Sequence, residues 1–483
     1  MSAHSHDNIG PVKEIEYLVR FGSQGTLLFL DHLLVAVGGW IYWLIIVSKI
    51  NTFQVGQVTA VYSLVTLLSI LTQLGLEYPI LKRASTGHNQ ILATALIIEL
   101  IIATAAVPII PYIIGTVFQQ SFNGLSIQFS IIAVVILLLS SLSFVSRFAL
   151  LGISNVKSVL IIDVIGTGIK FATGYALIWS LGIGALGMLV SFLAQNLVTV
   201  SFALLIARRT RKFGYKIGNL KYIGGIIKDG LINTPSKFSR TLIFSLSVVL
   251  LGSFGISSSD IGIFYIALMV SIVAIGSLAS SMAYMVIPIS AKLRTDLSTA
   301  SSRISVSLSA PLIAAVISSP KFILGIIGAQ YLSGQPILLL LSVAILPFSI
   351  TMNFISKTNN LEMSTKLISI GLIEIVAFLI AFFILVPHYG TVGAAFSTLI
   401  AFVSSSVLSI IWSEARSIRY IAASATAIVA GVVTNHVIDL VINVHPVMSI
   451  IITAGVSLIV VVVLKNTSAD ELAQIAKGII TRA

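Results

Sequence analysis

Nine charged side chains fall inside long apolar runs of this sequence, where a charge is costly unless it faces water or a partner. They are Asp31, Glu77, Glu99, Asp163, Lys170, Lys237, Arg240, Lys321 and Glu374. Lys237 and Arg240 are three residues apart and share a helix face just after Pro235. Two cations beside an irregular turn could bind a phosphate group, or they could pair with a buried carboxylate. The spacing leaves both interpretations open.

Among the other charges, Asp31, Glu99, Asp163 and Glu374 are candidates for gating or for binding a coupling ion, whereas Glu77 and Lys321 are expected to reach the membrane surface. Asp163 and Lys170 are seven residues apart on one helix face, where they form either a ladder for a substrate or a structural pair. Glu99 lies near the middle of its run and is a candidate for protonation. Glu374 is expected to border the same cavity as Lys170.

The elements that hold these charges are predicted to be membrane-spanning helices. Of the 483 residues, 57% are hydrophobic and only 9% are charged, and the mean hydropathy is +1.07. A soluble protein needs more surface charge than this. In lipid the backbone must satisfy its own hydrogen bonds, so each run is predicted to be a helix. The fold class is therefore an all-α integral membrane protein of about fourteen transmembrane helices.

The predicted spans are 24–48, 55–80, 90–117, 128–151, 156–179, 184–207, 230–255, 260–288, 303–328, 334–356, 362–387, 390–413, 418–438 and 444–464. Positive charge supports this division, because cytoplasmic loops of membrane proteins are enriched in lysine and arginine. Alternate loops and helix ends hold 23 of the 28 basic residues. Lys49 alone falls on the opposite side, and the other four lie within spans. The sequence thus predicts a multi-pass protein of the cytoplasmic membrane with both termini in the cytoplasm.

Several classes of function are excluded by what the sequence lacks. It has no cysteine, no Walker-type motif for ATP hydrolysis, and only scattered histidines instead of a metal site. No outer loop is long enough to build a catalytic site, so we expect neither an enzyme nor a cofactor. The net charge of +12 lies in short loops, which is typical of membrane orientation and not of nucleic-acid binding.

The two halves of the chain repeat at an offset of 206 residues. Residues 184–187 (Gly-Ala-Leu-Gly) correspond to 390–393 (Gly-Thr-Val-Gly), and Gly56 corresponds to Gly262. Six spans return the chain to its starting side, so the two units should be related by an axis along the membrane normal. A pathway for a solute between two pseudo-symmetric six-helix bundles is the natural consequence.

The same offset relates two positions of opposite charge, which we expect to face one another. Asp31, followed by His32, corresponds to Lys237 of the second half. We predict that Asp31 and Lys237 form an ion pair across the central pathway in one state, and that an anionic substrate competes for the lysine.

The predicted organisation follows from the spans and the repeat. It comprises an amphipathic cytoplasmic segment (1–22), a first six-helix bundle (23–207), a basic cytoplasmic linker (208–229), a second bundle (230–416), two extra transmembrane helices (417–465) and an amphipathic cytoplasmic tail (466–483).

Three stretches of the sequence carry a resemblance to a known family. They are 54–57 (Gln-Val-Gly-Gln) continuing to 73–77 (Gln-Leu-Gly-Leu-Glu), the leucine-rich stretch from 337 onward, and 386–395 (Val-Pro-His-Tyr-Gly-Thr-Val-Gly-Ala-Ala). The chain resembles the multidrug/oligosaccharidyl-lipid/polysaccharide exporter superfamily, specifically its polysaccharide or lipid-linked oligosaccharide flippase branch. The likeness covers essentially the whole chain.

The resemblance implies a V-shaped transporter of two bundles that works by alternating access. Its substrate would be an isoprenoid phosphate or pyrophosphate that carries a sugar chain, with membrane lipids and H+ or Na+ as further partners. Lys237, Arg240 and Lys170 would bind phosphate, and Asp31, His32, Glu99, Asp163 and Glu374 would gate or couple transport. The alternative is a cation-coupled multidrug exporter on the same scaffold. Some members of the family have an arginine where this chain has Asp31 and His32.

Overall fold

The described part of the chain is almost entirely helical. The structure is a computed structural model that describes Asp31 and residues 34–35, 37–39, 41–122, 124–237, 242–276, 298–360, 363–412, 416–441 and 444–464. No strand occurs within these ranges. The amphipathic segments predicted at 1–22 and 466–483 lie outside them, as do His32 and Arg240.

The first half of the chain forms one bundle of long apolar helices and short connecting ones. Its helices are α1 (Val37–Val47), α2 (Thr52–Thr72), α3 (Glu77–Ser85), α4 (Ile91–Ala106), α5 (Ile109–Thr116), α6 (Gln119–Phe122), α7 (Ser126–Gly152), α8 (Val156–Gly174) and α9 (Gly184–Arg209). A π-helical turn, Tyr175–Ser180, extends α8.

The second half repeats this pattern and adds two helices. Its helices are α10 (Leu220–Lys237), α11 (Ile243–Ser253), α12 (Ser258–Leu268), α13 (Ser298–Ser318), α14 (Pro320–Ile327), α15 (Gln335–Asn360), α16 (Ser364–Trp412), α17 (Arg416–Val441) and α18 (Pro446–Val463). The last two helices pack against each other and against α13.

The predicted all-α membrane fold is confirmed. Nine helices in the described ranges are long and apolar enough to cross a membrane, or ten if α13 and α14, which meet at an angle of 80°, form one span. The helix α16 holds two predicted spans, because its 49 residues are interrupted by the non-helical backbone of Gly390 (φ 54°, ψ −130°). The predicted number of fourteen spans stays a prediction.

Helix ends differ from the prediction at two turns. The span predicted at 55–80 breaks after Thr72, because Leu74 and Gly75 both adopt positive φ (43° and 64°) and turn the chain into α3. The span predicted at 303–328 bends before Pro320, which lacks the amide hydrogen that would continue the helix.

The duplication is visible in how α2 and α12 begin. The side chain of Asn51 accepts a hydrogen bond from the amide of Gln54 (2.8 Å), and Ser257 accepts one from the amide of Asp260 (3.2 Å). Such caps satisfy the free amides of a helix start. Asn51 and Ser257 are 206 residues apart, so the repeat places the same cap at the same point of each bundle.

Among the described residues, the largest apolar cluster joins the two bundles at one end of the molecule. At the end where α2 and α12 begin, which we call the sealed end, one cluster includes Tyr42, Leu64, Phe264 and Phe402 from both bundles. At the other end, called the linker end because residues 208–219 connect the bundles there, the first bundle has a cluster around Leu150 that also takes in Ile226 of α10. The second bundle has a separate one around Ile355 and Ile370 there.

Candidate transport site

An ion triad joins three helices of the first bundle. Nη2 of Arg147, in α7, lies 3.9 Å from Oδ2 of Asp31, in the helical stretch before α1, and it also contacts Oδ2 of Asp163, in α8. Both carboxylates are buried, whereas the arginine side chain is 36% exposed. Two carboxylates on one nitrogen repel one another. The triad therefore holds two carboxylates for one guanidinium.

Arg147 is the functional candidate that the sequence reasoning missed. It was counted only among the loop-side basic residues that set the topology. The position of Arg147 in the sequence could have indicated its partner. The helix α7 ends at Gly152 and α8 begins at Val156, so Arg147 and Asp163 lie at similar distances from the turn between them. In an antiparallel helix pair, residues at similar distances from the turn face one another, and this places Arg147 beside Asp163.

Lys170 is buried among aromatic rings, and no carboxylate in the described part of the chain forms an ion pair with it. Its Nζ lies 4.7 Å from the ring centre of Tyr42 and 5.5 Å from that of Phe192. The hydroxyl of Tyr42 is hydrogen-bonded to that of Ser191 at 2.5 Å, which fixes the ring. A cation above an aromatic face is attracted by the electron density of the ring.

The ion-pair partner of Asp163 in this structure is Arg147, and the described residues show no ion pair between Asp163 and Lys170. Seven residues of helix separate the two α-carbons by about 10 Å, and the guanidinium of Arg147 reaches Asp163 instead. Of the two interpretations of this face, the ladder for a substrate stays a prediction.

Two glutamates are buried within the helices of their own bundles. Oε1 of Glu99, in α4, accepts a hydrogen bond of 3.2 Å from the hydroxyl of Thr72 at the end of α2. Glu374, in α16, is equally buried. Their assignment to gating or coupling, and the cavity predicted beside Glu374, stay predictions.

The predicted phosphate-binding pair lies at the edge of the described chain. Lys237 is the last residue of α10, and its side chain is outside the described part. Arg240 and His32 are outside it as well. The described partner of Asp31 is Arg147, and the ion pair between Asp31 and Lys237 stays a prediction.

Two glycines bring the bundles together at the sealed end. A β-carbon on Gly56, in α2, would lie 1.7 Å from the carbonyl oxygen of Ser258, in α12. A β-carbon on Gly262 would lie 2.6 Å from the carbonyl oxygen of Thr52. These contacts are reciprocal. The offset of 206 residues relates Gly56 to Gly262 and Ser258 to Thr52, so the repeat converts one contact into the other. Only glycine permits backbones to approach this closely.

Polar bonds reinforce this contact between the bundles. The hydroxyl of Ser258 donates to the hydroxyl of Ser121, in α6, at 2.7 Å. Gln57 donates through Nε2 to the carbonyl oxygen of Ser121. The ring centres of Trp43 and Tyr265, from α1 and α12, are 5.3 Å apart. Glycine contact, hydrogen bonds and aromatic packing together close this end.

The helix α10 contacts both bundles at the linker end. It packs against α3 of the first bundle and α16 of the second. Nη2 of Arg83, in α3, donates to Oδ2 of Asp229, in α10, at 2.9 Å. A β-carbon on Gly230 would lie 2.6 Å from the carbonyl oxygen of Leu74, so the two segments are in close backbone contact.

The arrangement is similar to that of known transporters. A family model described as "Polysaccharide biosynthesis protein" matches residues 51–336. No curated protein sequence matches the chain.

Solved structures share the fold at low sequence identity. The structure of the lipid II flippase MurJ in an inward closed conformation has a TM-score of 0.67 and 14% identity, over 90% of this chain and 98% of that chain. An inward-facing multidrug resistance MATE family transporter has a TM-score of 0.60 and 16% identity, over 85% and 99%. The eukaryotic MATE transporter AtDTX14 has a TM-score of 0.57 and 11% identity, over 86% and 99%.

Proposed function

Because this chain belongs to the polysaccharide biosynthesis protein family, within the exporter superfamily that its sequence resembles, we propose that it is a flippase for a lipid-linked sugar. The substrate is an oligosaccharide or polysaccharide precursor on an isoprenoid phosphate or pyrophosphate. The observation that carries this proposal is the asymmetry of the core. Among the described residues, the bundles share one large apolar cluster at the sealed end, whereas at the linker end the cluster of the first bundle includes only α10 from the second half.

This asymmetry supports a cleft that opens toward the linker end. The linker carries Arg208, Arg209, Arg211, Lys212, Lys216, Lys221 and Lys228. Since positive loops remain in the cytoplasm, the proposal assigns the linker end to the cytoplasmic side and an inward-facing state to this conformation. A sugar head could then enter the cleft from the cytoplasm and leave on the other side when the sealed end opens.

The cleft lowers the cost of moving a polar head through about 30 Å of hydrocarbon. Lys237, Arg240 and Lys170 bind the phosphate groups in this proposal, while the isoprenoid tail stays in the lipid. An inside-negative potential assists, because each negative charge that moves outward gains about 2.3 kcal/mol per 100 mV.

Coupling is assigned to the buried carboxylates of the first bundle. Asp31 and Asp163 meet on the same nitrogen of Arg147, where a proton or Na+ relieves their repulsion. Glu99, Glu374 and His32 are the remaining candidates. Movement of α1 relative to α7 and α8 would change the contacts of the triad and so link its charge state to the conformation.

Lys237 is the residue on which the proposal is tested most directly. We expect Lys237→Ala to reduce the transfer of a fluorescent polyprenyl-pyrophosphate sugar between leaflets of proteoliposomes by about tenfold or more, since a charge-assisted phosphate contact contributes roughly 1.5–3 kcal/mol. Lys228→Ala, an exposed lysine of the same helix, is the matched control and should transport normally. Equal rates for the two variants would contradict the role of Lys237.

Lys170 tests whether the phosphate also contacts the first bundle. We expect Lys170→Met to fold normally, because replacing a buried charge by an apolar side chain of similar size is often neutral or stabilising. Flipping should nevertheless fall by about tenfold. The thermal midpoint and the flipping rate are measured on the same preparation. An unchanged rate would assign Lys170 a structural role above the ring of Tyr42.

The alternative is a cation-coupled multidrug exporter. The observation in its favour is the buried acidic pair Asp31 and Asp163, since carboxylates attract cationic drugs. The same proteoliposomes distinguish the two functions. Efflux of a cationic dye without any lipid transfer would establish the exporter, and lipid transfer without dye efflux would establish the flippase.

A further inference from the structure

A basic cavity lies at the linker end between α3 and the start of α10. It has a volume of about 590 Å³ and is lined by Lys82, Arg83, Thr86, His88, Asn219, Lys221, Tyr222 and Asp229. An adjoining cavity of about 390 Å³ shares His88 and adds Lys212. Both cavities are open to the outside, and neither is formed by the residues assigned above to transport.

The base of the larger cavity is built by stacked side chains. The guanidinium of Arg83 lies 4.7 Å from the ring centre of Tyr222 and donates to the carbonyl oxygen of the same residue at 3.2 Å. The ring of His88 stacks on Tyr222 with a centre separation of 6.0 Å and an angle of 22°. The hydroxyl of Thr86 is 2.9 Å from Nδ1 of His88. These contacts hold the base of the cavity in place.

The charge at the rim of the cavity is not balanced. Asp229 is the acidic residue of the lining, and it binds Arg83 at 2.9 Å. Lys82 and Lys221 are exposed and form no ion pair with any residue in the described ranges. The cavity therefore presents lysines that are available to an anion from outside.

Exposed apolar side chains surround the same lysines. Tyr215 is 78% exposed, Ile217 is 52% exposed and Leu220 is 86% exposed. They alternate along the linker with Lys212, Lys216 and Lys221. Contact of such side chains with water is unfavourable, and a soluble phosphate would leave them uncovered. A lipid satisfies both groups, because its head carries the charge and its chains cover the apolar side chains.

We propose that this cavity binds the headgroup of an anionic phospholipid. Its phosphate pairs with Lys82 and Lys221, and its acyl chains cover Leu220 and the neighbouring apolar side chains of the linker. Because Lys82 belongs to α3 and Lys221 to α10, one bound lipid contacts both the first bundle and the helix that leads into the second.

The test measures lipid binding and requires no transport substrate, so it is independent of the proposed function. The full-length chain in neutral detergent is titrated with phosphatidylglycerol or phosphatidylcholine, and bound lipid is counted by native mass spectrometry. We expect Lys82→Ala/Lys221→Ala to bind phosphatidylglycerol roughly 30-fold more weakly, from about 1 kcal/mol for each basic residue. Higher salt should reduce the difference.

The matched control removes the same charge elsewhere. Lys49 and Lys321 are exposed lysines outside this cavity, and Lys49→Ala/Lys321→Ala should bind phosphatidylglycerol like the unmodified chain. All four lysine side chains are exposed, so both variants should elute as folded protein. Equal affinity of the two double variants, or equal binding of phosphatidylcholine and phosphatidylglycerol, would overturn the proposal.

A second variant separates a lipid from a free phosphate. Leu220→Ser should weaken the binding of phosphatidylglycerol severalfold, whereas it should leave the binding of inorganic phosphate unchanged. Displacement of phosphatidylglycerol by millimolar inorganic phosphate, or full affinity of Leu220→Ser for the lipid, would identify a soluble-anion site instead.

Discussion

Gly56→Leu is expected to remove most of the transport activity and to hold the sealed end apart. A β-carbon at this position would lie 1.7 Å from the backbone oxygen of Ser258, and no side-chain rotation relieves a contact with backbone. The two helices must separate, at a cost of about 1–3 kcal/mol for an overpacked contact. This shifts the population of the sealed state by roughly 5- to 150-fold. Gly262→Leu should have the same effect for the same reason.

Closure is measured with a cysteine pair, since the chain has no cysteine of its own. The hydroxyls of Ser121 and Ser258 are 2.7 Å apart, so cysteines at both positions should form a disulfide when the end is sealed. Gly56→Leu should abolish this cross-link. Gly115→Leu is the control, because a β-carbon on Gly115 meets nothing within 4 Å. Efficient cross-linking in Gly56→Leu would show that the glycine contact is not required for closure.

Arg147→Met is expected to produce the largest loss of stability among single charge substitutions in the first bundle. It removes the described cation partner of Asp31 and Asp163 and leaves two buried carboxylates facing each other. Breaking a fully buried pair costs about 3–5 kcal/mol. The arginine side chain is 36% exposed, so we expect about 2–3 kcal/mol here. The thermal midpoint of the purified protein in detergent measures the loss.

A second substitution distinguishes loss of the ion contact from loss of packing. Asp163→Asn in the Arg147→Met background should recover part of the lost stability, because it removes one of the two carboxylates that repel each other. Lys157→Met, an exposed lysine at the start of α8, should leave the midpoint unchanged. If Asp163→Asn lowers the midpoint further and additively, the triad does not act as an electrostatic unit.

The helices were predictable because lipid leaves the backbone few choices. Apolar runs and the distribution of lysine and arginine located the spans, and the repeat related Gly56 to Gly262 before any contact between them was known. The breaks were harder to foresee. Leu74 adopts a positive φ where its turn packs closely against Gly230 of α10, and a leucine in the sequence gives no sign of this conformation.

The site was predicted in its residue types but only partly in its pairing. Asp163 was recognised as costly in lipid, yet its spacing to Lys170 along one helix suggested the wrong partner. Its partner in the structure, Arg147, lies on the neighbouring helix. From the sequence alone, a charge near the end of a helix looks like a loop charge until the two helices are placed side by side. The aromatic surroundings of Lys170 depend on α1 and α9 and could not be read from its own span.

The reciprocal contact of Gly56 and Gly262 has a consequence for the origin of the chain. In a twofold dimer both partners use the same surface. If residue i of one copy contacts residue j of the other copy, then residue j of the first copy contacts residue i of the second. Gly56 with Ser258, and Gly262 with Thr52, obey this rule within a single polypeptide. The sealed end thus has the geometry of an interface between two copies of one unit, here joined in a single chain through the basic linker.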